Sequence, residues 1–145
     1  MNTTPAFWDA SALVPACVHE RTTARVRLLL KSFLPVICWA TSVEIYGAIC
    51  RLHHEKLITD PEKQGAVTRL QRLGLAWREI LPDDHVRDLA LACLDKYPLR
   101  AADALQLAAS LTWCQRRPAN RTFITADFRL GQAAESSGFS VQLLV

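Results

Sequence analysis

Four acidic residues lie at positions from which a folded chain could bring them together. Asp9 directly follows the apolar stretch "AFW", and Asp127 comes two residues after "TFIT". Glu44 and Asp103 lie near the starts of the amphipathic segments "TSVEIYGAIC" and "RAADALQLAAS". Converging carboxylates repel one another, so such a cluster either takes up protons or holds a cation. Mg²⁺ and Mn²⁺ prefer carboxylate oxygens and water, which makes metal-assisted phosphodiester hydrolysis the natural chemistry.

The elements that would position these acids alternate between strands and helices. Short apolar runs predict strands over 5–8, 35–40, 77–81, 121–125 and 139–145. Helical spacing predicts helices over 11–18, 20–33, 41–57, 60–75, 82–97, 100–117 and 126–138. This alternation predicts an α/β protein with one three-layer α/β/α domain over residues 1–145, built on a mainly parallel central sheet.

Several residues suggest where these elements begin and end. Thr41, three residues before Glu44, predicts a capping box at the start of the third helix. Asp60 is the expected N-cap of the next helix, with a proline at the first helical position. Prolines and a glycine are expected to break, stop or close three other helices: Pro15, Pro118 and Gly138.

Ligands of parallel α/β sheets bind at the carboxyl ends of the strands, where the following helices begin. Asp9 and Asp127 follow strands, and Glu44 lies in the first turn of the helix after a strand. Asp103 lies in the first turn of a helix that runs antiparallel to the next strand, so it reaches the same pole. Each acid also has a structural alternative: Glu44 in a capping box, and the three aspartates as helix caps or dipole partners.

The composition permits several partners and excludes few. The net charge is +3, from 17 basic and 14 acidic residues among 145, which allows a polyanionic partner without requiring one. Five cysteines without metal-ligand spacing predict free thiols in the reducing cytoplasm. No apolar run is long enough for a membrane span, so no membrane contact is expected. The four histidines are expected at the surface, and Trp8 and Trp39 in the core.

Four motifs in this order resemble the acidic motifs of PIN-domain ribonucleases. They are "FWDASALV", "TSVEIYGAI", "LRAADALQLAAS" and "FITADFRLGQAAESSGF". The likeness is greatest to VapC-type toxins of prokaryotic toxin–antitoxin modules, and it covers nearly the whole chain, apart from a motif-free stretch between Glu44 and Asp103. The resemblance implies an endoribonuclease dependent on Mg²⁺ or Mn²⁺. It also implies a homodimer that is inhibited by a VapB-like antitoxin.

The resemblance also implies roles for individual residues. Asp9, Glu44 and Asp103 match the principal metal-site acids, and Asp127 matches the more variable fourth. Ser11 and Thr125 match hydroxyl positions that orient a carboxylate or a metal-bound water. Basic residues are expected to contact the phosphates of RNA, with two of them nearest the acids in sequence: Arg100 and Arg129. Outer contributions are expected from Arg51, Arg116, Arg117 and Arg121.

Other functions fit parts of this pattern. A phosphatase that forms an aspartyl-phosphate is expected to carry a second aspartate two residues after Asp9, where this chain has Ser11. A phospho-receiver domain is expected to have adjacent acids near its first strand and a lysine after a late strand, and neither is evident. The sequence therefore argues against both the phosphatase and the phospho-receiver domain. A PIN-fold nuclease that processes RNA or cuts DNA remains an alternative. A catalytically inert PIN-like module that binds RNA or protein is another.

Overall fold

A parallel sheet forms the middle layer of the protein. The structure is a computed structural model that describes residues 3–145, and Met1 and Asn2 of the predicted domain lie outside the described residues. Within 3–145 the strands are β1 (Thr4–Trp8), β2 (Phe33–Cys38), β3 (Arg78–Ile80), β4 (Thr122–Thr125) and β5 (Ser140–Leu143). They lie in the order β3-β2-β1-β4-β5, and all four neighbouring pairs are parallel.

Helices cover both faces of this sheet. The described residues form α1 (Ala10–Cys17), α2 (Thr23–Ser32), α3 (Thr41–His54), α4 (Asp60–Ala76), α5 (Asp84–Lys96), α6 (Ala101–Trp113) and α7 (Phe128–Ser137). The first four pack on one face around Trp8 and Ile37, and the last three pack on the other around Phe7 and Phe123. The predicted three-layer α/β/α fold is confirmed.

The two cores explain the unbroken apolar sequence of β1. Successive side chains of a strand point to opposite faces, so a strand covered on both sides needs apolar residues at every position. Ala6 and Trp8 belong to one core, while Phe7 belongs to the other. Phe7 packs against Phe123 with 5.2 Å between ring centroids. Asp9 therefore follows three fully buried residues at the centre of the sheet.

Helices α3 and α4 begin at the predicted residues, but the capping interactions predicted for them are wrong. The Thr41 hydroxyl does not cap α3, because it bonds the side chain of Gln106 instead, and Ala40 is the N-cap. Asp60 is the first residue of α4 rather than its cap. Thr59 is the N-cap and forms a capping box with Glu62, in which each side chain bonds the backbone N–H of the other residue.

Three smaller expectations also need correction. Helix α1 is brief, as Pro15 predicts, but Pro15 does not break it: only two residues follow the proline, and the helix continues through them to Cys17. Helix α6 ends at Trp113, before Pro118, because Gln115 and Arg116 take left-handed backbone angles. Trp39 lies beyond β2 with a relative exposure of 51%, whereas Trp8 is fully buried as predicted.

The remaining sequence expectations concern thiols and membranes. All five cysteines are free thiols, four of them buried and Cys50 partly so. No helix within residues 3–145 combines the length and the apolarity that crossing a lipid bilayer requires.

Gly138 closes α7 as predicted, and its geometry leads to a stability prediction. Its φ is +115°, and a Cβ atom there would lie 2.9 Å from Cγ of Pro118. We expect Gly138→Ala to lower the free energy of unfolding by about 1–3 kcal/mol, measured by urea denaturation, because left-handed strain and a clash add.

Gly47 offers a matched control within α3. A Cβ atom there would meet nothing within 4 Å, and its backbone is helical. Gly47→Ala should therefore raise the free energy of unfolding by about 0.5–1 kcal/mol. Equal effects of the two substitutions would contradict the role assigned to Gly138.

Candidate active site

The four acids lie at the carboxyl-terminal pole of the parallel strands. Asp9 follows β1 and is the N-cap of α1, and Asp127 lies just beyond β4 as the N-cap of α7. Glu44 and Asp103 lie in the first turns of α3 and α6. The capping alternative therefore applies to Asp9 and Asp127, although capping does not remove them from this pole.

Asp9 is held by the residue two positions after it. The Asp9 side chain is 5% exposed and accepts hydrogen bonds from the Ser11 hydroxyl, at 2.8 Å to Oδ1 and 2.9 Å to Oδ2. The Ser11 backbone N–H donates to Oδ2 at 3.3 Å. The Ser11 hydroxyl oxygen also accepts the backbone N–H of Ala126 at 2.9 Å. Ser11 thus ties the end of β1 to the segment that carries Asp127.

Thr125 makes the complementary link from β4. Its hydroxyl is fully buried and accepts the backbone N–H of Asp127 at 2.9 Å. The same oxygen lies 3.3 Å from the Ser11 hydroxyl. The Asp127 carboxylate in turn accepts the N–H of Leu130 at 3.0 Å, which fixes the first turn of α7. The two hydroxyls predicted from the sequence therefore lie between Asp9 and Asp127.

An open cavity of about 580 Å³ lies at this pole, and Asp103 and Asp127 are part of its lining. Both predicted RNA contacts, Arg100 and Arg129, lie on its wall beside Asp103 and Asp127. The complete lining is Pro98, Arg100, Ala102, Asp103, Asp127, Phe128 and Arg129. Two acids that could help to hold a cation and two arginines that could contact a phosphate therefore share one cavity.

Glu44 is held by a residue that the sequence analysis missed. The Gln106 side chain is 1% exposed, and its Nε2 donates to Glu44 Oε1 at 2.9 Å and to the Thr41 hydroxyl at 3.1 Å. Gln106 lies one turn after Asp103 on α6, so it connects the helices that carry two of the acids. The available signal was a polar residue within the apolar run "ALQLAAS".

Burial leaves three of the acids hard to ionise. Burial raises the pKa of Asp9 to about 7, although hydrogen bonds from Ser11 and Thr125 oppose the shift. Burial also raises the pKa of Glu44 and of Asp103 above the ordinary range. Neighbouring charges add to each effect: Asp127 acts on Asp9 and on Asp103, and Asp103 acts on Glu44.

The donor set fits a hard divalent cation. None of the four acids belongs to an ion pair within residues 3–145, so their negative charge is not neutralised by a basic side chain in contact. Carboxylate oxygens are the ligands that Mg²⁺ and Mn²⁺ prefer. The side chains are not drawn together around one point, since no three His, Cys, Asp or Glu residues of the described chain form a group that could hold a metal ion.

The other predicted contacts lie elsewhere. Arg116, Arg117 and Arg121 follow α6 or precede β4, which places them at the opposite pole from the acids, and Arg121 lies over the Trp113 ring at 5.3 Å. Arg51 lies in the last turn of α3, also away from that pole. The four histidines line no part of the acidic cavity, and His53 bonds Asp60.

Comparison with solved structures identifies the architecture. VapBC2 of Rickettsia felis, solved with a DNA fragment from its promoter, matches with a TM-score of 0.66 at 11% identity, over 98% of this chain and 100% of that chain. PAE2754 of Pyrobaculum aerophilum matches with a TM-score of 0.61 at 18% identity, over 97% and 90%.

A third structure agrees with these two. VapBC-5 of Mycobacterium tuberculosis, from the VapBC family of toxin–antitoxin systems, matches with a TM-score of 0.60 at 14% identity, over 97% and 98%. The chain has a PIN-like fold. The predicted resemblance to VapC-type proteins is thus confirmed at the level of fold. No protein-family model and no curated protein matches the sequence.

The raised pKa of Asp9 in this PIN-like domain predicts a pH-dependent stability. A carboxyl whose pKa is raised on folding favours the folded state below its ordinary value of 3.8, and this advantage is lost as the pH rises through about 7. In the presence of EDTA, Asp9→Asn should exceed the wild type in free energy of unfolding by up to about 4 kcal/mol above pH 7. Urea denaturation across this range measures the difference.

Low pH provides the control for this measurement of the wild type and Asp9→Asn. Below about pH 3 the wild-type carboxyl is protonated in both the folded and the unfolded state, so the two proteins should differ little there. A difference that is constant with pH would show that the asparagine acts through packing or hydrogen bonding rather than through charge.

Gln106 allows a second prediction, about buried hydrogen bonds. Gln106→Leu removes the donor to the fully buried Thr41 hydroxyl and should cost about 1–3 kcal/mol of stability. Adding Thr41→Val removes the stranded hydroxyl as well, so the double variant should recover much of this loss. Urea denaturation of the four proteins in this cycle provides the test, and strictly additive losses would contradict it.

Proposed function

We propose that the protein is an endoribonuclease dependent on Mg²⁺ or Mn²⁺ and that it acts as the toxin of a toxin–antitoxin pair. The observation that carries the proposal is the gathering of Asp9, Glu44, Asp103 and Asp127 at the carboxyl-terminal pole of a PIN-like sheet, without any ion pair among the described residues to neutralise them. Two arginines on the adjoining cavity supply contacts for a polyanion.

In this proposal Asp9, Glu44 and Asp103 hold the cation, and Asp127 assists with a second ion or orients the attacking water. The cation supplies Lewis-acid activation of the phosphodiester and of water. Ionising Asp9, Glu44 and Asp103 is costly because Asp9 is buried, the other two are half-buried, and each interacts with another carboxylate; bound positive charge would offset that cost. Their raised pKa values support this proposal, since a bound cation would offset the cost of ionising them.

The chain's own residues orient these groups. The Ser11 hydroxyl engages both oxygens of Asp9, and Gln106 engages only Oε1 of Glu44, which leaves Oε2 available. Water attacks phosphorus in line, the bond from phosphorus to the 3′ oxygen breaks, and that oxygen takes up a proton. The products carry a 5′-phosphate and a 3′-hydroxyl. Histidine has no part in this proposal.

In this proposal Arg100 and Arg129 contact phosphates of the RNA near the scissile bond. Both are exposed and both line the cavity that contains Asp103 and Asp127. Contacts of arginine with phosphate position a nucleic acid without reading its sequence. They also make binding dependent on salt, because each contact releases counterions from the RNA.

The antitoxin proposal is supported by the likeness in fold to toxin–antitoxin proteins. Structures of the same fold include a toxin–antitoxin complex from Klebsiella pneumoniae, matched with a TM-score of 0.56 at 18% identity over 84% of this chain and 86% of that chain. We propose that a VapB-like antitoxin binds this protein and blocks its acidic cavity, that the protein forms a homodimer, and that it works in the cytoplasm. The free thiols agree with a reducing compartment.

A cleavage assay tests the activity. Purified protein should cut structured cellular RNA in the presence of Mg²⁺ and should fail to do so in EDTA. Asp9→Asn should lower the cleavage rate roughly 100-fold or more, since loss even of groups that support a metal ligand costs about 10–100-fold. Gel analysis and mapping of product ends measure the rate and the position of the phosphate.

Asp95→Asn serves as the matched control, because Asp95 is an exposed acid near the end of α5, away from the acidic pole. It should cleave like the wild type. Cleavage that survives EDTA, or equal cleavage by Asp9→Asn, would exclude the mechanism. Preference for DNA would favour the alternative nuclease, and absence of any cleavage would favour an inert binding module.

A further inference from the structure

Phe128 is an exposed aromatic residue inside the acidic cavity. Its relative exposure is 62%, although it lies between Asp127, which caps α7, and the cavity residue Arg129. The same helix buries Leu130 completely in the core. The ring of Phe128 therefore contributes little to folding, and water covers an apolar surface directly beside the acids.

The position of Phe128 follows that of Asp127. Phe128 is the first residue of α7, and the turn around it is fixed by the bonds from Leu130 N–H to Asp127 and from Asp127 N–H to Thr125. The buried Leu130 anchors the same turn from the core side. The start of α7 thus presents a carboxylate and an aromatic residue at consecutive positions on one rigid element.

We propose that Phe128 is the platform on which an unpaired nucleobase stacks next to the scissile phosphate. The inference rests on the proposed ribonuclease function and narrows its substrate to RNA that is single-stranded, looped or bulged at the cleavage site. Every base has a π-face, so stacking on an aromatic ring is favourable without a required sequence. A base inside a helix is already stacked on both sides and cannot offer that face.

The composition of the cavity favours a nucleotide over a protein segment. Phe128 is the one aromatic residue in a lining that otherwise contains two arginines, two aspartates, a proline and an alanine. A nucleotide joins an aromatic base to an anionic phosphate, so the ring, the arginines and a cation held by the acids would each meet one part of it. The volume of about 580 Å³ lies in the range of pockets that hold ligands of this size.

Fluorescence of 2-aminopurine tests the stacking. The probe is a short single-stranded oligoribonucleotide of mixed sequence that contains this base, titrated with the protein in Mg²⁺ on the Asp9→Asn background to prevent cleavage. Stacking of the 2-aminopurine base on Phe128 should quench its fluorescence. Phe128→Ala should abolish the quenching and weaken binding by about tenfold, because the base loses the aromatic ring on which it stacks.

Two further substitutions separate stacking from apolar contact. Phe128→Trp should retain affinity and quenching, whereas Phe128→Leu should resemble Phe128→Ala, since leucine is apolar without a π-face. Leu28→Ala provides a control on α2 at 64% exposure, outside the cavity, and should bind like its parent. Binding and quenching by Phe128→Leu equal to those of the parent would overturn the stacking role.

The cleavage assay distinguishes failure of this inference from failure of the proposed function. With Asp9 restored, Phe128→Ala should raise KM for single-stranded RNA more than it lowers kcat. If the wild type cleaves RNA and Phe128→Ala cleaves it with the same KM, the inference fails alone. If the wild type neither binds nor cleaves RNA, both fail. If Phe128→Ala cleaves RNA normally but is no longer inhibited by an antitoxin, the ring contacts protein rather than RNA, and the inference is overturned.

Discussion

Ionising Asp9 at the end of a buried central strand is costly, and hydrogen bonds from neighbouring residues offset part of that cost. The strand before it is buried on both faces, so the carboxylate has almost no contact with water. Burial raises its pKa to about 7. Hydrogen bonds from Ser11 recover part of the lost solvation, and Ser11 can supply them because it lies in the first turn of α1. Asp9 is therefore held in place by Ser11 while its carboxyl ionises at a higher pH than an exposed aspartate does.

The same bonds define the relative positions of separate segments. Ser11 accepts an N–H from Ala126 and lies beside Thr125, so the support of Asp9 also joins β1 to the loop after β4. Gln106 does the same for α3 and α6 by bonding Thr41 and Glu44. Hydrogen bonds between buried polar groups are costly to break, which makes these two links good supports for a preorganised site.

Capping and a functional role are compatible at this pole. Asp9 and Asp127 each accept a backbone N–H at the start of a helix, as ordinary capping residues do. A parallel α/β sheet places helix starts at the carboxyl ends of its strands, where the chain also forms its binding site. One carboxylate can therefore fix a turn with one interaction and present its remaining oxygen lone pairs to a ligand.

Local sequence patterns predicted all the strands and helices, because each depends on apolar periodicity within its own segment. They were less accurate at helix starts. The spacing of Thr41 and Glu44 fits a capping box as well as that of Thr59 and Glu62 does, yet only the second pair forms one. The reason is tertiary: the Thr41 hydroxyl forms hydrogen bonds with the side chain of Gln106, which is 65 residues away in sequence.

The sequence by itself determined the parallel α/β layout, and with it the pole at which Asp9, Glu44, Asp103 and Asp127 lie, because a helix between two strands lets them run in the same direction. The strand order β3-β2-β1-β4-β5 came only from the tertiary structure. Only the tertiary structure decided which side chains form hydrogen bonds with these acids and which residues line the cavity beside Asp103 and Asp127. Gln106 beside Glu44, the exposed ring of Phe128 and the solvent-exposed Trp39 are examples. Such contacts depend on how distant helices pack against the sheet, and residue spacing along the chain does not contain that information.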